Sequence, residues 1–144
     1  MVLNTYGSNT AVITNGAGKV EYPTLDFMFL YGEGTEAHKS CSMTWRGRFF
    51  IFGGETEKNQ ISVLNGCKLE RIGDLQFEHY YGACSNVNDQ VYLCFNVGSS
   101  SDLKKCRVAS SPTGNYSEIA ESNVNHGKGN VGSSDGKSTI FGLY

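Results

Sequence analysis

His38-Lys39-Ser40-Cys41-Ser42-Met43-Thr44-Trp45-Arg46-Gly47-Arg48-Phe49-Phe50-Ile51-Phe52-Gly53-Gly54 starts at a histidine, passes a polar turn at Arg46-Gly47-Arg48 and ends in an apolar strand and a glycine pair. The same order returns twice. His79 to Asn96 passes through Asn88-Asp89-Gln90 into Val91-Tyr92-Leu93-Cys94-Phe95, and His126 to Leu143 passes through Asp135-Gly136-Lys137 into Ser138-Thr139-Ile140-Phe141-Gly142. Aligning Ile51 with Leu93 and Ile140 gives spacings of 42 and 47 residues, within the range of repeat architectures. On that alignment His79 and His126 coincide, and His38 is one residue off. Repetition at this period decides the fold class and weighs against a single catalytic centre.

Between the repeats the chain is written in short apolar segments separated by Gly, Asn, Asp and Ser, the pattern of antiparallel strands joined by hairpins. Ala11-Val12-Ile13-Thr14 runs into Asn15-Gly16, and Ile61-Ser62-Val63-Leu64 into Asn65-Gly66. Both dipeptides favour type I′ turns. The return strands are Gly18 to Tyr22 and Cys67 to Ile72. A weaker third pair is Lys104 to Ala109 and Tyr116 to Ala120, around Ser110-Ser111-Pro112-Thr113-Gly114. No helical apolar spacing persists beyond about ten residues. With inner hairpins labelled ab and outer hairpins cd, the order is cd, abcd, abcd, ab. The expected units are 1–37, an outer pair; 38–78 and 79–125, two full four-stranded units; and 126–144, an inner pair. The two ends would share one unit.

Bulk composition agrees. Of 144 residues, 18 are Gly and two are Pro, while Tyr and Phe number 8 each. That favours tight turns and strands over linkers and helices. The net charge of −2 and the lack of a basic stripe argue against a nucleic-acid partner. The longest apolar run, near Phe49–Phe52, is far too short for a membrane span. Residues 1–20 contain no basic start followed by an apolar stretch, so no secretory signal is visible, and either a cytoplasmic or an extracellular location remains open.

The stretch Ile51-Phe52-Gly53-Gly54, with the turn at Arg46-Gly47 and His38 before it, resembles the kelch-type β-propeller family. The resemblance implies an all-β fold of antiparallel four-stranded blades. In such a fold the glycines lie where backbone approaches backbone and no Cβ fits. Two features depart from the pattern: Phe95-Asn96 and Gly142-Leu143 replace the glycine pair, and the outer-strand Trp is missing. Leu69 and Ile72 or Ile119 are the candidates to replace it, and Trp45 lies in an inner strand. The chain holds about three blades' worth of strands, whereas closed propellers have roughly four to eight blades. It is therefore expected to be part of a longer propeller, or a half that completes a six-bladed ring as a homodimer.

The resemblance implies a non-catalytic protein-interaction module with a protein partner. The alternatives are an extracellular structural or adhesive domain, or part of a propeller enzyme with its site at the channel mouth. Charged residues gather in the connectors, which usually carry binding, and Glu57, Lys58, Glu78, Tyr80 and Asp102 are the candidate binding residues. Equally, they could be a solvated rim.

No catalytic residue, metal ligand or cofactor is assigned. Gly127-Lys128-Gly129-Asn130-Val131-Gly132 matches the dinucleotide fingerprint in letters only, because Ser133-Ser134-Asp135-Gly136 follows where a helix is required. Asn15-Gly16-Ala17-Gly18-Lys19-Val20 lacks the phosphate-loop spacing. Three histidines at repeated places suggest a repeated structural job. The five cysteines, Cys41, Cys67, Cys84, Cys94 and Cys106, lack zinc spacing. Cys94 and Cys106 fall on neighbouring strands of the blade scheme. They could form a cross-strand disulfide, or be buried thiols. Asn115-Tyr116-Ser117 is a glycosylation sequon of a kind that also arises by chance in a chain rich in Asn and Ser.

Overall fold

The structure, a computed structural model, describes residues 2–5, 11–14, 19–22, 40–55, 57–66, 68–97, 102–126, 130–134 and 137–141. Its regular elements are strands, with one short 3₁₀ turn at Asp102–Lys104. The first three strands, β1 (Val2–Thr5), β2 (Ala11–Thr14) and β3 (Lys19–Tyr22), form an antiparallel sheet with β2 in the middle. Next come β4 (Cys41–Trp45), β5 (Arg48–Phe52), β6 (Gln60–Asn65) and β7 (Lys68–Asp74), paired in chain order as a four-stranded antiparallel sheet. The second four-stranded antiparallel sheet is β8 (Ala83–Val87), β9 (Gln90–Cys94), β10 (Lys105–Ala109) and β11 (Ser117–Glu121). The last hairpin is β12 (Asn130–Ser134) with β13 (Lys137–Phe141). Among the described residues the strands do not close into a ring.

The strands follow their side chains. In β4, Cys41 and Met43 are buried while Ser42 and Thr44 are exposed, the period of two expected of a strand with one covered face. In β5, Phe49 to Phe52 are all buried, and in β6 so are Gln60 to Val63. These middle strands are covered on both faces and so lose the alternation. The main core gathers Met43, Phe50, Phe52, Ile61 and Val63 of the first four-stranded sheet with Val91 and Leu93 of the second. A smaller cluster of Ala83, Cys94, Phe95 and Cys106 lies within the second sheet.

The two sheets repeat each other down to single hydrogen bonds. Gly53 N donates to Gln60 O at 2.8 Å, and Phe95 N donates to Lys105 O at 2.8 Å. Leu75 N donates to Asn59 O at 2.6 Å, and Ser122 N to Lys104 O at 2.8 Å. His79 N donates to Lys58 O at 2.6 Å, and His126 N to Leu103 O at 3.0 Å. The outer pair of each sheet also slips register once, between Ile61 and Ser62 in one and between Cys106 and Arg107 in the other.

The leading strands β4, β8 and β12 stand side by side. Cys41 is bonded to Cys84, Asn86 Nδ2 donates to Thr44 O at 3.3 Å, and Trp45 Nε1 donates to Asp89 O at 2.9 Å. Residue numbers rise together along this seam, so β4 and β8 run in the same sense.

Three expectations need correction. The N-terminal group keeps the expected hairpin as β2 and β3 but adds a third strand, because Val2–Thr5 also pairs with β2. The turn after β6 is displaced by one residue: Asn65 pairs with Lys68, and Gly66, at φ 60°, opens the turn. Of the residues considered for the missing Trp, Leu69 is buried, whereas Ile72 and Ile119 are exposed. The Asn15-Gly16 turn, His38 and Gly127 to Gly129 lie outside the described residues.

Candidate functional site

Two connectors of the first four-stranded sheet meet: the loop from β5 to β6 and the link from β7 to β8. Backbone bonds fix them, since His79 N donates to Lys58 O at 2.6 Å and Gly54 N to His79 O at 3.1 Å. This brings together four of the five candidate binding residues. Lys58 Nζ pairs with Glu78 Oε2 at 3.3 Å and stands 5.9 Å from the centre of the Tyr80 ring. Glu57, Lys58 and Asn59 on one side, and Leu75 to Glu78 on the other, line an open cleft of about 480 Å³. Both ends of the Lys58–Glu78 pair are largely exposed, so it contributes little to stability and is free to exchange partners.

Asp102 lies apart from that cleft but is tied to it. Its Oδ1 accepts from Arg107 Nη2 at 2.9 Å, and its Oδ2 accepts from Asn96 Nδ2 at 3.5 Å. Asn96 Oδ1 in turn accepts from Tyr80 N at 2.9 Å, while Val97 N donates to Tyr80 O at 2.8 Å. The main chain of Tyr80 is thus held by the second four-stranded sheet on both its polar groups.

Sequence reasoning missed the residues that hold this cluster in place. The Arg107 guanidinium is largely buried, contacts Asp102 and Glu118 and lies 4.3 Å from the centre of the Phe77 ring. Phe77 meets the Tyr116 ring edge-on at 5.6 Å, and Tyr116 donates its hydroxyl proton to Pro112 O at 2.9 Å. Burial raises the Tyr116 pKa. The only sequence signal for Asn96 was its place opposite Gly54 in the repeat, and Arg107 had none.

His79 is the buried titratable group beside the cleft, at 1 % exposure. Burial pushes its pKa down to about 4, the positive charge of Arg107 adds to the fall and Asp102 opposes it. A histidine kept neutral suits a general base, but here Nε2 faces Cys41 Sγ at 3.3 Å. That sulfur is bonded to Cys84 and carries no proton, so the ring N–H is the donor. Closed off on this side, His79 serves as a structural bolt between the connectors. Its counterpart His126 lies 4.6 Å from the Phe95 ring and within 2.7 Å of Ser122 Oγ.

Cys94 and Cys106 stand directly opposite across β9 and β10 and are bonded, with Cα atoms 4.1 Å apart. The Cys41–Cys84 bond, with Cα atoms 5.8 Å apart, joins the two four-stranded sheets. Among the described residues no cluster of three or more His, Cys, Asp or Glu side chains could hold a metal ion. No helix among them is long and apolar enough to cross a membrane. Comparison with protein-family models and with the curated proteins gave no match.

Proposed function

We propose that this chain supplies blades of a kelch-like β-propeller and works as a non-catalytic protein-interaction module through the loops around Lys58, Glu78 and Tyr80. One observation carries the reading: β4, β8 and β12 stand side by side, β4 and β8 each leading a four-stranded antiparallel sheet, with the connectors of β4–β7 meeting in one cleft. Strands arranged in that way suit blades around an axis. An exposed acid–base pair beside an aromatic ring suits a polypeptide partner, since it offers both charge complementarity and an apolar contact. Three blades do not close, so a second copy is proposed to complete a six-bladed ring with two-fold symmetry. In that ring β12–β13 of one copy would adjoin β1–β3 of the other.

Light scattering tests the architecture, with a mass twice that of the chain expected for the ring. A photoreactive residue at Glu78, compared with one at Ser110, tests the site. A protein captured from position 78 but not from 110, and lost on Lys58→Glu, would support it. Equal capture from both positions would remove the loop cluster as the binding surface.

The disulfides favour a second reading, an extracellular structural or adhesive domain, because such bonds persist in oxidising surroundings. A thiol count on the natural chain under denaturing, non-reducing conditions tests it. One reactive thiol among five cysteines is expected there, and five would be found if the bonds do not form.

A further inference from the structure

We infer that Asn115 is an N-glycosylation site, and that the chain matures in the secretory pathway. Asn115-Tyr116-Ser117 is the only Asn-x-Ser/Thr triplet in the sequence. A sequon carries a glycan in the folded protein only where the amide nitrogen reaches solvent and the middle residue is not proline. Here the middle residue turns inward, with its ring on Phe77 and its hydroxyl on Pro112 O, which leaves Asn115 and Ser117 on the exposed side. The Asn115 amide is held by its oxygen: Gln76 Nε2 donates to Oδ1 at 2.9 Å. Nδ2, the atom that takes the sugar, has no partner among the described residues. The anchoring bond and the modification therefore use different atoms of one side chain, and both can exist together.

A second observation is independent of the sequon. Four of the five cysteines are paired as Cys41–Cys84 and Cys94–Cys106. Such pairs form in the compartments where asparagine is also glycosylated. The co-substrate is a lipid-linked oligosaccharide pyrophosphate. Nδ2 bonds to the anomeric carbon, the bond from that carbon to the pyrophosphate oxygen breaks, Nδ2 loses one proton and the lipid pyrophosphate leaves. No electron transfer is involved.

The test is to direct the full chain into the secretory pathway of a eukaryotic cell, and to map residue 115 by mass spectrometry on secreted and cell-retained protein alike. The expected result is a glycan on Asn115 in chains with both disulfides formed. Peptide N-glycosidase should remove it from the native protein, converting Asn115 to Asp. Ser117→Ala should abolish the mass shift, and Ser117→Thr, which keeps the hydroxyl, should retain it. A sugar-free Asn115 in disulfide-bonded wild-type protein would overturn the proposal. So would a glycan found only on chains lacking those bonds.

Discussion

The carbonyl oxygen of His79 occupies the place that a Cβ on Gly53 would need. Gly53 sits at φ 59°, and Gly54 beside it donates its N–H to that same oxygen at 3.1 Å. The glycine pair therefore lets the end of β5 press against the link that leads into the second four-stranded sheet. On the other side of the histidine, a Cβ on Gly82 would meet the imidazole and the carbonyl of Cys94. Two glycines thus press on one buried histidine, Gly53 on its carbonyl and Gly82 on its ring.

Gly53→Ala is expected to destabilise the fold by about 3–5 kcal/mol, since left-handed strain adds to a backbone overlap that no rotamer can relieve. Gly47→Ala is the control. Gly47 has φ 74°, but nothing lies within 4 Å of its missing Cβ, so only the conformational cost of about 1–2 kcal/mol applies. Urea midpoints of the two variants give the comparison, and equal losses would show that the His79 contact is not what requires glycine at 53.

Acid should weaken the fold through His79. Its folded pKa, about 4, lies below the ordinary value of 6.5. The unfolded chain therefore binds the proton first as pH falls. The stabilisation is complete above pH 6.5 and fades between that value and about 4, with a loss of about 2 kcal/mol between pH 7 and pH 5. Urea titrations at those two pH values measure it. His79→Gln should flatten the dependence over this window even though the variant is less stable throughout.

Arg107 and Asp102 should tune that histidine in opposite directions. Arg107 lowers its pKa and Asp102 raises it. Arg107→Met, which keeps packing on Phe77 while removing the charge, should move the His79 titration upward, and Asp102→Asn should move it further down. The ring proton resonances of His79 report both shifts. Arg107→Met should also cost about 2–3 kcal/mol, because it leaves Asp102 partly buried without its cation.

Much of this architecture could be read from local chemistry, and the exceptions are instructive. Arg46-Gly47 and Asn88-Asp89 read as turns, and all four residues do take positive φ. Phe95 looked like a break in the glycine pattern. The backbone keeps the same left-handed turn there, at φ 62°, and the Phe95 ring packs on His126. Tertiary packing holds a bulky residue in a conformation it would otherwise avoid. Lys58, Glu78 and Tyr80 could be found because they lie in charged connectors. Arg107 and the Cys41–Cys84 bond could not, and Asn96 showed only its place opposite Gly54, because each depends on how one sheet sits against the next.

The two disulfides should differ in worth. Cys41–Cys84 closes a separation of 43 residues and Cys94–Cys106 one of 12. Loop-closure entropy alone gives about 4 kcal/mol for the first and about 3 kcal/mol for the second. The first also joins two sheets, whereas the second lies within one. Cys41→Ala with Cys84→Ala should therefore lower the unfolding midpoint more than Cys94→Ala with Cys106→Ala, measured without reductant. The reverse order would mean that the β4–β8 seam is held well enough by the Trp45 and Asn86 hydrogen bonds and the Arg46–Asp89 ion pair without its covalent link.

Removing residues 1–16 should expose the proposed ring's weak point. The deletion takes away β1 and β2, and with them the hydrogen-bonding partner of β3. A strand left with open N–H and C=O groups becomes a template for uncontrolled pairing. If β1–β3 of one copy adjoins β12–β13 of another, the truncated chain should either aggregate or fall to monomer mass. Light scattering separates these outcomes. An unchanged mass with unchanged solubility would mean that the N-terminal sheet closes nothing, and the blade-sharing assembly would have to be abandoned even if the cleft at Lys58 and Glu78 proved to bind its partner.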